Sequence, residues 1–125
     1  MAKILVVDDS EIIRVQLRTD LTKAGHEVLE AEHGLHGLEV LNSNTDVDII
    51  ISDVNMPEMD GVSMCQNIHS IDTLNHIPIV MLTTQSSPEL KAKGKEYGVI
   101  AWVTKPYKSQ TILKGIEKIL SKLKA

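Results

Sequence analysis

Three short runs, residues 4–7, 49–51 and 79–82, are apolar at every position. A strand built from such a run shows a hydrophobic side chain to both faces of its sheet, so helices must cover both. Segments of helical period lie between the runs, and that alternation is the mark of successive β-α units in an α/β fold. Strands are expected near 3–8, 26–31, 47–53, 77–83 and 99–104, and helices near 11–24, 34–43, 61–69, 87–97 and 108–124. The second strand mixes polar residues into its pattern and suits an edge. The strand order 2-1-3-4-5 meets these demands and places the topological switch between strands one and three, where open α/β sheets bind ligands beyond their carboxyl ends. With 125 residues, 42% of them hydrophobic, and no repeat or linker, the chain is expected to form one domain spanning 1–125.

Local punctuation agrees with this layout. Gly25, Gly61 and Gly98 stand at turns, and Ser86-Ser87-Pro88-Glu89 reads as a capped helix start with proline in the first turn. Gly94, inside the fourth helical segment, should cost about 1 kcal/mol relative to alanine and is expected to fray that helix.

Strand one runs into Asp8-Asp9 and strand three into Asp53. If the two strands are neighbours, three carboxylates converge on one crevice, a site for a hard cation that repels free anions. The net charge of −4 and pI near 5.7 give no footprint for nucleic acid as a partner. Only four apolar residues follow Met1-Ala2-Lys3 before acid appears, too few for a signal-peptide core or a membrane span. Cys65 is the single cysteine and can form no internal disulfide. A soluble, cytoplasmic protein is expected.

Four motifs follow strands one, three, four and five in order: Asp8-Asp9; Asp53-Val54-Asn55-Met56-Pro57-Glu58-Met59-Asp60-Gly61; Thr83-Thr84; and Lys105-Pro106-Tyr107. With them the chain resembles, end to end, a response-regulator receiver domain of the stand-alone CheY-like kind, with its flavodoxin-like sheet. The resemblance implies a phosphorylation-dependent switch of two-component signalling. Such a switch takes a phosphoryl group from a histidine kinase or phosphotransfer protein, and answers to a downstream protein on the surface of helix four, strand five and helix five. It implies no enzyme beyond self-catalysed phosphoryl transfer and dephosphorylation. A monomer is expected, with dimerisation on phosphorylation left open.

The chemistry can also be argued from the residues. A carboxylate attacking an anionic phosphoryl group needs cationic help, which magnesium (or manganese) and one lysine supply. Asp53, alone at the end of a central strand, is the expected nucleophile, and Asp8 and Asp9 are expected to hold the metal. By resemblance, Asp9 ligates directly, Asp8 acts largely through water, and Asp53 and the backbone carbonyl of Asn55 complete the set. Also by resemblance, Lys105 pairs with Asp53 at rest and with phosphoryl oxygens afterwards, Thr83 donates to one of those oxygens, and the Lys105-Pro106 bond is cis. Trp102 stands where the family usually carries Tyr, Phe or His as a switch aromatic.

Other polar residues read more plainly. Asp60 is expected to serve a turn or cap a helix, His33 and His36 to sit at a solvated helix start, and Cys65 and the methionines to pack in the core. Two departures from the family pattern matter: Thr84, where Ala or Gly is usual, should crowd water attacking the phosphoryl group, and Lys108 replaces a capping residue before the last helix, which is expected to start less firmly for it. Lys91 and Lys95 on helix four, and Lys114, Lys118 and Lys122 on helix five, form stripes beside the expected partner face, while Ile112, Ile116, Ile119, Leu120 and Leu123 mark the buried face of helix five. Two alternatives stand against the switch. One is a metal-dependent phosphatase working through an aspartyl-phosphate, which commonly needs a second aspartate where Asn55 stands. The other is a receiver that never accepts phosphate and serves as a constitutive binding module.

Overall fold

A computed structural model describes residues 2–84 and 87–124, the last two by backbone alone. Gln85 and Ser86, and the side chain of Leu123, lie outside the described residues. The elements follow one another as β1 (Lys3–Val7), α1 (Glu11–Lys23), β2 (Glu27–Ala31), α2 (Gly34–Ser43), β3 (Ile49–Ser52), α3 (Gly61–His69), β4 (Ile79–Thr83), α4 (Pro88–Glu96), β5 (Val99–Thr104) and α5 (Ser109–Lys124). The five strands are parallel in the order β2-β1-β3-β4-β5, the expected order, and helices cover both faces as the apolar runs required.

Alternation along the strands divides the core into two. Leu5, Val7, Ile50, Ile79 and Met81 point to the side covered by α2, α3 and α4, where they meet Leu41, Met64, Cys65 and Ile68. Ile4, Val6, Ile49, Ile51, Val80 and Leu82 point the other way, onto Leu17 and Leu21 of α1 and Ile112 and Ile116 of α5. β1, β3 and β4 are thus buried on both faces, which is why their sequences lack a polar alternation. β2, with its exposed Glu27 and half-buried centre, is an edge.

Helix starts are capped as the sequence suggests. Ser10 Oγ accepts from the Ile13 amide, Ser87 Oγ accepts from Leu90 with Pro88 in the first turn, and Asp60 accepts from Ser63 at 2.7 Å. His33 caps α2 through Nδ1, which accepts from the His36 amide. Gly25 and Gly98, at φ of 92° and 93°, close α1 and the α4–β5 turn in the left-handed region.

Two expectations need correction. α4 runs unbroken across Gly94, which is buried; a Cβ there would lie 2.8 Å from Trp102 Cζ2 and 3.2 Å from Val99. The glycine is a seat for the indole, not a point of fraying. The start of α5, without a capping side chain at Lys108, is fastened instead to α1, where Asp20 accepts from Ser109 Oγ at 2.7 Å and from the Tyr107 hydroxyl at 3.1 Å. Burial and the Asp20 carboxylate both raise the Tyr107 pKa, so this hydroxyl stays a donor.

Candidate phosphoryl-acceptor site

Because β1 and β3 pair directly, with Val7 opposite Ser52, the residues that follow them emerge side by side. Among the described residues, Asp8, Asp9 and Asp53 offer carboxylate oxygens that all lie within 4.8 Å of one another. Asp8 and Asp53 are buried and Asp9 is exposed, so the cluster opens to solvent on the Asp9 side. Three hard oxygen donors at this spacing fit a divalent cation such as magnesium.

Lys105 enters from the end of β5. Its Nζ lies 2.8 Å from Asp8 Oδ2 and 3.3 Å from Asp53 Oδ2, so it bridges both carboxylates and sits closer to Asp8 than to the Asp53 partner expected at rest. The Lys105-Pro106 peptide is cis, as the resemblance implied. Burial favours the neutral amine, but the hydrogen bond and charge of Asp8, together with Asp53, outweigh it and raise the lysine pKa. Burial also raises the Asp8 pKa, and the lysine only partly offsets it. Without a metal, Asp8 therefore holds its proton more tightly than a free carboxylate would.

Backbone amides fix the two buried carboxylates. Asp8 Oδ1 accepts from the Ser10 amide at 2.9 Å, and Asp53 Oδ1 accepts from the Val54 amide at 2.7 Å. Each keeps Oδ2 turned toward Lys105. Gly61 is required for a reason its turn position did not reveal: a Cβ there would run into the backbone carbonyl of Asp53. Arg14 is a supporting residue that sequence reasoning missed. Its guanidinium donates to the Asp8 carbonyl at 2.6 Å while pairing with Glu30 of β2 at 3.4 Å. No local motif announces it, since the contact depends on α1 folding back along the β1 end.

The remaining expected residues lie on β4, on β5 and just beyond β3 and β4. Asn55 is exposed two residues beyond Asp53. Thr83 is buried at the end of β4, and its carbonyl accepts from the Lys105 amide at 3.0 Å. Trp102 pairs with Met81 and Thr104 with Thr83 in the β4–β5 register, so Thr83 and Trp102 lie diagonally on one face of adjacent strands. The Trp102 ring is half-buried between that face and α4. Thr84 is exposed just past β4. Cys65, whose thiol burial pushes up to about 12, belongs to the core and not to the site.

The sheet order and this cluster define a receiver, and the comparison with known families agrees. The chain belongs to the response regulator receiver domain family, whose model matches residues 4–117. It is 37% identical over 119 residues to the chemotaxis protein CheY1 of Helicobacter pylori, covering 94% of this chain and 96% of that one. It is 33% identical over 121 residues to protein PilH of Pseudomonas aeruginosa, covering 97% and 99%. Among solved structures, the chemotaxis protein CheY4 of Vibrio cholerae superimposes with a TM-score of 0.90 at 40% identity, covering 95% of this chain and 98% of that one. The chain is thus a CheY-like receiver, of the class that works in phosphorylation-dependent signalling. No helix among the described residues is long and apolar enough to cross a membrane.

Proposed function

We propose that Asp53 accepts a phosphoryl group from the phosphohistidine of a kinase or phosphotransfer protein, and that the acylated site alters the α4-β5-α5 surface to bind a partner. The observation that carries this reading is the Asp53 carboxylate, with Oδ1 tied to the Val54 amide and Oδ2 at 3.3 Å from Lys105 Nζ. One oxygen is immobilised and the other faces the lysine cation, the arrangement a nucleophile toward phosphorus needs. Oδ2 forms the new P–O bond as the P–N bond to histidine breaks. Lys105, released from Asp53 as that carboxylate becomes an acyl phosphate, neutralises the phosphoryl oxygens, and the Thr83 hydroxyl donates to one of them. Magnesium, held by Asp8, Asp9, Asp53 and the Asn55 carbonyl, would neutralise charge on the transferring group.

The output step rests on the shared face of Thr83 and Trp102. Movement of Thr83 toward the phosphoryl group vacates volume beside β5, and the indole is the side chain placed to respond. The chemotaxis names of several relatives favour chemotaxis signalling as the setting. Asn55, at the position where aspartyl-phosphate phosphatases commonly carry a second aspartate, argues against the phosphatase alternative. The assembled set of Asp8, Asp9, Asp53, Thr83 and Lys105 argues against a receiver that never accepts phosphate.

Treatment with a small acyl phosphate should add one phosphoryl group at Asp53, dependent on magnesium, and mass spectrometry of the intact chain and its peptides reads it directly. An unmodified Asp53, or equal labelling of Asp53→Asn, would refute the assignment.

A further inference from the structure

Helix starts favour Ser, Thr, Asp or Asn at the cap, yet α2 is capped by a pair of histidines. His33 stands at the N-cap in extended backbone, and its Nδ1 accepts from the His36 amide at 3.1 Å. His36 reaches back in turn, its Nδ1 accepting from the Glu32 amide at 3.2 Å. The two side chains thus form a reciprocal cap of the kind usually made by a hydroxyl and a carboxylate or amide. Both residues are half-buried, and their ring centroids lie 6.1 Å apart.

The acceptor role fixes a protonation state. A neutral imidazole has one N–H and one bare nitrogen, so a ring that accepts at Nδ1 carries its proton on Nε2. A second proton can go only to Nδ1, where it points at an amide N–H and turns a hydrogen bond into a clash of donors. The cation would also sit at the positive end of α2. The carboxylates at this end of the surrounding elements are Asp9 after β1, Glu30 and Glu32 at the end of β2, Glu39 in α2, and Glu58 and Asp60 before α3. Glu30 is paired with Arg14 and Arg18, Asp60 accepts from the Ser63 amide, and among the described residues no carboxylate forms an ion pair with either ring. His69, at the other end of α3, packs on Tyr97.

The main chain joins this cap to the acidic site on both sides. The amide of Gly34, the first residue of α2, donates to the Met59 carbonyl at 3.0 Å, and a Cβ on Gly34 would lie 2.6 Å from that oxygen. Met59 belongs to the segment that carries Asp53 and Asn55. On the other side, the carbonyl of Ala31, just before Glu32 and His33, accepts from the Asp8 amide at 3.1 Å.

Resting on the magnesium site proposed above, we infer that His33 and His36 are positioning residues that make this site proton-sensitive. While both rings are neutral, the cap holds Gly34 against Met59 and keeps the Asn55 segment in place. When they take up protons, the first turn of α2 loosens, the segment is released and magnesium binding weakens. The capped form binds fewer protons than the open one, so it is favoured as pH rises through the histidine range and lost as pH falls through it.

The test is an NMR titration of the isotope-labelled full chain from about pH 8 to about pH 5.5, the interval in which histidine takes up its proton. At the upper end the ring nitrogens of His33 and His36 should show the Nε2–H form. The amides of Glu32, Gly34 and His36 should then shift in step with ring protonation. His33→Asn/His36→Gln keeps two side-chain acceptors and removes both titrations, so its amides at these positions should not respond. Magnesium affinity, read from the amide shifts of Asp9 and Asn55, should fall across the titration about fivefold further in the wild type than in this variant, the scale of one lost cap. The difference cancels the titration of Asp8, which both chains share. His33→Ala/His36→Ala, with no acceptor at either position, should bind magnesium about fivefold more weakly than the wild type at the upper end. The inference is overturned if either neutral ring is the Nδ1–H form, if the amides ignore ring protonation, or if the wild type and the Asn/Gln variant lose magnesium equally. Wild-type magnesium binding at the upper end separates the two readings: binding with equal losses in both chains removes only this inference, whereas no binding removes the metal-site reading and this inference with it.

Discussion

The carboxyl ends of β1 and β3 and the packing of β5 against α4 are built by different means. At the acidic end, polar atoms are pinned individually: Asp8 by the Ser10 amide and Lys105, Asp53 by the Val54 amide, the Asp8 carbonyl by Arg14. At the α4–β5 contact the described interactions are those of shape, an indole and a valine of β5 lodged against a glycine of α4. The first region is set up to hold charge in one geometry, which is what chemistry on a phosphoryl group needs. The second can change by sliding and repacking, which is what a switchable surface needs. If the account is right, substitutions in the second region act through volume and those in the first through charge.

Gly94 offers the largest effect by which to break this contrast. Gly94→Ala gains about 1 kcal/mol of helix propensity, but the added methyl meets Trp102 and Val99, and overpacking of this kind costs about 1–3 kcal/mol. A net loss of stability is expected in denaturant unfolding. In a Trp102→Val background the same change should be neutral or stabilising, since the 2.8 Å conflict is gone. Equal effects in both backgrounds would mean that the indole does not need the glycine.

Asp8 tests the other region. Burial raises its folded-state pKa, so folding favours the protonated form. This contribution to stability is gained as pH falls through the folded value and is absent at neutral pH, where the ionised group is a cost. Asp8→Asn should therefore stabilise the metal-free protein at pH 7 by about 1 kcal/mol, a few degrees in midpoint for a domain of this size. The gain should shrink as pH is lowered through the carboxylate range. Magnesium should stabilise the wild type and do little for the variant. Thermal melts across pH, with and without magnesium, check all three statements, and a destabilised Asp8→Asn at pH 7 would show that the Lys105 contact outweighs burial.

The smallest effect is expected at Thr84, exposed beside the site. Thr84→Ala should shorten the lifetime of phosphorylated protein by about threefold, equivalent to somewhat under 1 kcal/mol in barrier height. A decay assay after removal of excess acyl phosphate measures it, and a longer lifetime would show that bulk at this position does not limit water.

The two regions also differed in how far they could be read from sequence. A parallel sheet covered on both faces was legible because uniformly apolar runs demand one; the strand order was fitted from a known pattern of open α/β sheets, and with that order in place the acids at the ends of neighbouring strands must converge. The capping roles of Asp60 and Ser87 followed from local chemistry in the same way. What escaped depends on contacts between residues distant in the chain. Arg14 reaches the Asp8 carbonyl only once α1 is docked, Asp20 anchors α5 across a separation of 89 residues, and Gly61 is demanded by the Asp53 carbonyl. Gly94 misled for the same reason: helix propensity argues for fraying, whereas the tertiary partner Trp102 makes the missing side chain an advantage.

The central claim is that the acidic cluster and the Trp102 contact communicate, and the single tryptophan makes this directly measurable. Saturating beryllofluoride with magnesium should change the emission wavelength and quencher access of Trp102 in the wild-type chain. The change should vanish in Asp53→Asn and be blunted in Thr83→Ala. Unchanged emission and quenching, with Asp53 shown to be occupied, would contradict the account and leave the α4–β5 contact as fixed packing.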